Sequence, residues 1–309
     1  MGGGRRMLRE PFTEKFYTYH SKYIENVLAL RQPQRESLEI FARLCDILTF
    51  SKEPNLGAEL EAVHALFPTL SSFERDFPSF CFALATGIGK TRLMGACIAY
   101  LRYEKGIKNF FVMAPNLTIY DKLKADLGNT SNPKYVFKGL DLFAKPPRII
   151  DGDNYADFRQ GTFGVNDVVI NVFNISKLNA ESKGKNGEPA RIKRLNEVLG
   201  TSYFEYLQSL PDLCIFMDES HHYHADKSFD VINDLKPILG VELTATPQIQ
   251  KGAKAVPFKN VVYEYSLAHA LKDERYVKVP AVFTRKDFRP EEYTPEQLDH
   301  EKLNDGLRI

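Results

Sequence analysis

No apolar run in this chain approaches the roughly 18 residues that a bilayer-spanning helix needs, so no transmembrane helix is expected. The start, Met1-Gly2-Gly3-Gly4-Arg5-Arg6, has no apolar stretch behind it and is not a secretory signal. There is no C-x-x-C pair. Cys45, Cys81, Cys97 and Cys214 are scattered, which argues against zinc or disulfides and for buried thiols in a cytoplasmic protein. No repeat of fixed period occurs. A basic excess is missing too: 41 Lys and Arg against 40 Asp and Glu leave a net charge of +1. Proteins that bind nucleic acid through bulk charge are more basic, so any nucleic acid would be held by a local track or by parts outside this chain. What is present is ordinary globular material, 309 residues with 43% hydrophobic and 26% charged. That suffices for one large or two small domains with a real core.

Short apolar runs alternate with helical patterns. Residues 80–84, 110–114, 168–172, 213–217 and, more weakly, 240–243 read as strands buried on both faces. Leu93, Met94, Cys97, Ile98 and Leu101 share one helical face, and Leu117, Tyr120, Leu123 and Leu127 share another. This order predicts an α/β fold, a mostly parallel sheet with helices on both faces. Residues 1–79 carry helical periodicity (Leu38, Phe41, Leu44, Leu48, then Leu60, Val63, Leu66) and form a helical preface. The main lobe is expected over 80–285, with a further strand at 261–265 and a short helix at 267–271. The Lys- and Gly-rich stretch 179–188 reads as an exposed loop, and 286–309 as a linker or frayed end.

Between the first predicted strand and the helix after it lies Ala85-Thr86-Gly87-Ile88-Gly89-Lys90-Thr91. Glycines at 87 and 89 let the backbone turn tightly and aim N–H groups at phosphate oxygens. The helix adds the positive end of its dipole. Lys90 can reach the β- and γ-phosphates of a nucleotide, and the Thr91 hydroxyl can ligate Mg²⁺. The strict G-x-x-x-x-G-K-[ST] pattern fails at Leu84, while its G-x-G-K-T core is intact.

Asp218-Glu219-Ser220-His221 directly follows the 213–217 strand. At the carboxyl end of a parallel strand, side chains face the ligand crevice. Asp218 is placed there to hold the Mg²⁺ shell, and Glu219 to orient and deprotonate an attacking water. His221, His222 and His224 lack further ligands at zinc spacing. His221 is expected to link this site to neighbouring segments, and the other two to be ordinary polar residues.

These segments, followed by Thr244-Ala245-Thr246-Pro247, resemble motifs I, II and III of superfamily 2 helicases and translocases. Leu30-Arg31-Gln32-Pro33-Gln34 is similar to that superfamily's adenine-reading segment. Residues 112–117, 171–174 and 265–270 look like those of the restriction-helicase family, which includes the motor subunits of type III restriction enzymes. The resemblance covers roughly residues 30–285. It implies a RecA-like lobe that binds ATP and Mg²⁺, with Gln34 on the adenine edge. Thr244 and Thr246 would couple the ATP state to lobe movement, and Pro115, Asn116 and Asn174 would lie near the nucleic-acid backbone. The implied partners are double-stranded DNA, a second RecA-like lobe, and nuclease and methyltransferase subunits. The gap of about 56 positions from Gln34 to Lys90 is long for a compact helicase and implies an inserted helical element.

No second set of strands and no arginine-rich segment follows Pro247, and no strand carries the paired carboxylates of a nuclease. An arginine finger from a second lobe contributes on the order of 10³ to 10⁵ in turnover. The chain alone is therefore expected to bind ATP·Mg²⁺ and hydrolyse it very slowly. Backbone-tracking contacts are sequence-blind, so an RNA helicase lobe stands beside the DNA motor, as does an ATP-gated nucleic-acid-binding module.

Overall fold

A computed structural model describes residues 18–151, 154, 167–174, 203–223, 226–251, 254–273, 276, 293–294 and 296–300. The chain forms two units, Met1–Val277 and Lys278–Ile309.

The first unit is built on seven strands: β1 (Ser79–Leu84), β2 (Asn109–Ala114), β3 (Arg148–Ile150), β4 (Val169–Asn174), β5 (Leu213–Asp218), β6 (Leu239–Thr244) and β9 (Val261–Tyr265). They lie in the order β3-β4-β2-β5-β6-β1-β9, and every neighbouring pair is parallel. β7 (Gln248–Lys251) and β8 (Lys254–Pro257) form a separate antiparallel hairpin. Alternate side chains along each strand go to opposite faces, and both faces are dry. Phe80, Phe82, Phe110, Val112, Cys214 and Phe216 belong to one apolar cluster, while Phe111, Met113, Leu213, Ile215 and Met217 belong to another. Burial on both sides explains why these strands read as unbroken apolar runs rather than alternating ones.

The first cluster is closed by α1 (Tyr19–Val27), α2 (Gln32–Ile47), α3 (Leu56–Leu66), α4 (Lys90–Lys105) and α5 (Leu117–Gly128). The second is closed by α6 (Tyr203–Ser209) together with Ile232 of α7 (Asp226–Asp234). A last helix, α8 (Leu267–Asp273), follows β9. The N-terminal helices thus share the sheet's own core: Leu38, Phe41, Leu44 and Leu48 are all buried, and Phe41 meets Phe82 edge-on at 6.3 Å. In α5, Tyr120, Leu123 and Leu127 are buried as the periodicity implied, but Leu117 is 54% exposed at the first turn. All four cysteines are free and buried.

The sheet also buries a carboxyl group. Glu242, in the middle of β6, is fully enclosed. It accepts from Ser79 Oγ at 3.0 Å, Asn260 Nδ2 at 3.1 Å and Arg75 Nε at 3.4 Å. Among the described residues no helix is long and apolar enough to cross a membrane. The expected loop at 179–188 lies outside the described residues. In the second unit, Thr294 opens a helical turn over 296–300. Its N–H donates to Gln297 Oε1 at 2.9 Å, and its Oγ1 accepts from Gln297 N at 3.3 Å.

Candidate functional site

The sheet order decides where the site forms. β6 alone separates β1 from β5, so their carboxyl ends lie about 10 Å apart, two strand spacings. A lysine side chain spans most of that distance. The segment after β1 and the segment after β5 therefore face each other across one crevice.

From Leu84 the chain turns through Ala85–Gly89 into α4. Gly87 and Gly89 adopt φ of 86° and 99°, the left-handed region that penalises any Cβ. A Cβ on Gly89 would also fall 2.5 Å from Gln34 Nε2. Ile88 is fully buried and anchors the loop in the core, while Thr86 and Gly87 are exposed. Buried Leu84 and Ile88, the two departures from the usual loop pattern, hold the turn without competing for its N–H donors. The first turn of the 16-residue α4 presents its unsatisfied N–H groups at this turn.

Lys90 crosses the crevice, its Nζ 3.0 Å from Glu219 Oε1. Glu219 itself has φ 51°, an uncommon conformation for a side-chain-bearing residue. Next to it, Asp218 is 6% exposed, and its Oδ1 has no hydrogen-bond partner. Burial, then the Glu219 carboxylate, pushes the Asp218 carboxyl up to about 6, against the pull of Lys90 and Lys122. A buried carboxylate oxygen without a donor, sharing a cleft with the Thr91 hydroxyl, is a donor set suited to a hard divalent cation. Among the described residues no three His, Cys, Asp or Glu side chains are grouped to hold a metal by themselves. A magnesium that travels with a nucleotide needs only one or two protein oxygens, the rest coming from phosphate and water.

The crevice is a cleft of about 810 Å³. The phosphate loop forms its floor, Asp218 and Glu219 one side, α5 and the turn at Pro133–Lys134 another, and Arg31 and Gln34 the remaining rim. Gln34 is 1% exposed in the first turn of α2. Its Oε1 accepts from Arg31 N at 2.8 Å, and its Nε2 donates to Ile88 O at 3.0 Å and Gly89 O at 2.9 Å. The amide thus ties the start of α2 to the phosphate loop.

His221 joins the acid pair to β6. Its Nδ1 is 3.7 Å from Glu219 Oε2, 3.0 Å from Thr244 Oγ1 and 3.4 Å from Thr246 Oγ1. Thr244 is fully buried and also accepts from Thr246 N at 3.1 Å. The His222 ring lies 4.2 Å from that of His221, and His224 lies outside the described residues. Pro115 is half-buried and Asn116 exposed where β2 runs into α5, with Asn116 Oδ1 capping that helix on Ile119 N at 2.9 Å. Asn174, at the end of β4, is only 1% exposed.

Three side chains escaped the sequence reading. Arg31 Nη1 donates to Gly87 O at 2.8 Å. Tyr276 lies with its ring centroid 5.3 Å from the Arg31 guanidinium carbon, and its hydroxyl accepts from Gln32 N at 3.3 Å. Lys122 of α5 donates to Thr91 Oγ1 at 3.1 Å. Of these, only Arg31 stands in a recognisable segment. The other two reach the site through tertiary packing that local sequence does not encode.

The family model of the type III restriction enzyme res subunit matches residues 21–249. The chain belongs to that family. The match runs from α1 to β7 and takes in the phosphate loop, the acid pair and the Thr244–Thr246 segment. No curated protein matches this res-family chain. Among solved structures it is similar to the Sulfolobus solfataricus SWI2/SNF2 ATPase core in complex with dsDNA, at 18% identity and TM-score 0.35 over 78% of this chain and 34% of that one. It is also similar to the type ISP restriction-modification enzyme LlaBIII bound to DNA, at 13% identity and TM-score 0.40 over 63% and 14% of the two chains. A nuclease-deletion mutant of the type ISP enzyme LlaGI with a DNA substrate mimic aligns at 13% identity and TM-score 0.39, over 71% and 20%. The res-family chain spans between 14% and 34% of the length of these three.

Proposed function

We propose that this chain is the first RecA-like lobe of an ATP-driven motor that binds ATP·Mg²⁺ and, completed by a second lobe, hydrolyses it to move along double-stranded DNA. The observation that carries the reading is the meeting of Lys90 with Glu219 at 3.0 Å beside the donorless Oδ1 of Asp218. Two segments far apart in sequence supply the cation, the metal-facing oxygen and the water-activating carboxylate of a phosphoryl-transfer site. Thr91 and Asp218 would hold Mg²⁺, which when bound neutralises phosphate charge. The N–H groups of Thr86, Gly87, Gly89, Lys90 and Thr91 would cradle the phosphates, joined by that of Ile88 on leaving Ala85 O, to which it donates at 3.3 Å, with the Lys90 ammonium on the outer ones. Glu219 would take the proton of the attacking water.

His221 then reports the state of Glu219 to Thr244 and Thr246, the coupling arm. Pro115 and Asn116, at the carboxyl edge of the sheet, suit backbone contact with nucleic acid. The buried Asn174 would support that edge from within. Gln34 would read adenine only by giving up part of its bonding to the phosphate loop.

Membership of a restriction-enzyme family favours DNA over RNA. The arginines that line the cleft are already engaged: Arg31 with Gly87 O, and Arg92 with Leu28 O at 2.6 Å. A transition-state arginine would come from the second lobe, and the lobe alone would hydrolyse ATP very slowly. Nuclease and methyltransferase partners fit the same family.

The test uses the full parent protein. ATP hydrolysis should rise with duplex DNA far more than with RNA, and Lys90→Ala should abolish nucleotide binding. Stimulation by RNA alone would favour the RNA helicase alternative. Nucleotide-dependent DNA binding without any hydrolysis would favour an ATP-gated binding module.

A further inference from the structure

Lys122 lines the cleft and has no part in the proposed chemistry. Lys122, one and a half turns into α5, places Nζ 3.1 Å from Thr91 Oγ1 and 3.5 Å from Asp126 Oδ2. Asp126 is buried and is also held by Asn132 Nδ2 at 2.9 Å. The Lys122 side chain is 48% exposed, so it has room to move. Its charge is felt at Asp218, where it acts alongside Lys90. The ammonium thus sits on the Thr91 hydroxyl, one of the two groups assigned to magnesium, in the cleft that Asp218 also lines.

Resting on the reading of this cleft as an ATP·Mg²⁺ site, we propose that Lys122 is a positioning residue that competes with magnesium for Thr91. Magnesium binds oxygen at about 2.1 Å. An ammonium 3.1 Å from the same oxygen would lie within about 5 Å of the ion, two like charges at close range. Thr91 cannot serve both at full strength, so magnesium binding drives Lys122 off the hydroxyl. Asp126, already 3.5 Å away, is the carboxylate that receives it. Lys122 thus supplies positive charge beside Thr91 and Asp218 when magnesium is not bound there. It also raises the magnesium concentration at which the nucleotide complex forms. Its place on the helix capped by Asn116 puts this exchange on the same rigid element as the proposed nucleic-acid contact.

The experiment measures the dissociation constant of a non-hydrolysable ATP analogue in excess Mg²⁺ and in EDTA, for the wild-type chain, Lys122→Met, Lys122→Arg and Lys90→Ala. Lys122→Met should tighten binding in Mg²⁺ by about twofold to fivefold, the range for removing one half-exposed ionic partner, with no tightening in EDTA. Lys122→Arg keeps the charge and should keep the wild-type ratio of the two constants. The proposal is overturned if Lys122→Met binds no tighter in Mg²⁺, or loosens in both conditions, which would make Lys122 a direct phosphate ligand. It is equally overturned if the arginine variant behaves like the methionine one. Lys90→Ala separates the two levels: wild-type binding by that variant would remove the phosphate-loop reading itself, whatever Lys122 does.

Discussion

Lys90 Nζ and Glu219 Oε1 stand 3.0 Å apart, joining the helix after β1 to the turn after β5 across the intervening strand β6. The pair is three-quarters or more enclosed, with side-chain exposures of 10% and 23%, so its charges are only partly screened. On the proposed reading, a triphosphate entering the cleft would compete with Glu219 for the same ammonium. Binding and catalysis would then be linked through one ion pair: the lysine would turn to phosphate and leave the carboxylate free to act on water.

Removing the negative charge from that pair separates the two steps. Glu219→Gln should bind ATP at least as tightly as wild type, since the phosphates no longer face a carboxylate, and should lose hydrolysis once the second lobe is present. Equilibrium nucleotide titration together with phosphate release in the parent protein checks both halves. Normal hydrolysis would remove Glu219 as the base.

Asp218 gives the nucleotide-free lobe a pH signature. Its carboxyl is pushed from 3.8 to about 6, chiefly by burial. Between those values the folded protein binds more protons than the unfolded one, so this group's effect on stability becomes less favourable as pH rises through 6. The full difference is on the order of 3 kcal/mol. Asp218→Asn should accordingly raise the melting temperature relative to wild type at pH 7 to 8, with the gap closing towards pH 4. A gap that widens on acidification would mean that the carboxylate is stabilised in the fold.

Gln34 makes opposite demands on two hypotheses. A residue that only reads adenine should, when changed to alanine, blur ATP against GTP and leave stability alone. The structure commits its buried amide to Arg31 N, Ile88 O and Gly89 O. Gln34→Ala should therefore lower unfolding stability by about 1–3 kcal/mol and weaken ATP and GTP together as the loop loosens. Thermal denaturation and paired titrations with the two nucleotides distinguish these outcomes.

Far from the cleft, Arg75 is bonded to the buried Glu242. Arg75→Ala should destabilise the lobe by about 3 kcal/mol or more, because the carboxylate stays enclosed without its counter-charge. The double variant Arg75→Met with Glu242→Gln should recover part of that loss. Urea denaturation of wild type, Arg75→Met, Glu242→Gln and the double variant measures the coupling.

Much of this fold was legible because its strands are sandwiched: Phe80–Leu84, Phe110–Ala114 and Leu213–Met217 are continuous apolar runs for which no other burial works. β3 went unread since it has three residues, two of them half-buried. β7 and β8, Gln-Ile-Gln-Lys and Lys-Ala-Val-Pro, carry little apolar signal of their own. α1 lies within the expected helical preface but has little periodic signal of its own, with only Ser21 and Ile24 buried. The site divides in the same way. Lys90 and Thr91 could be named because they open the helix that follows β1, and Asp218 and Glu219 because they stand where β5 ends, positions from which chain order already implies a common crevice. Lys122 and Tyr276 could not, since their nearness to Thr91 and Arg31 depends on how whole elements lie across one another.

Loss of the proposed metal ligand tests the convergence of phosphate loop and acid pair most directly. The measurement is the affinity of the chain for a fluorescent ATP analogue with and without Mg²⁺, in wild type and Asp218→Asn. Expected is a clear magnesium enhancement in wild type that disappears in Asp218→Asn, while magnesium-free binding through Lys90 and the loop survives. An undiminished enhancement in the variant would mean that Asp218 and the phosphate loop do not share one metal-bound nucleotide, and the motor reading of this lobe would be contradicted.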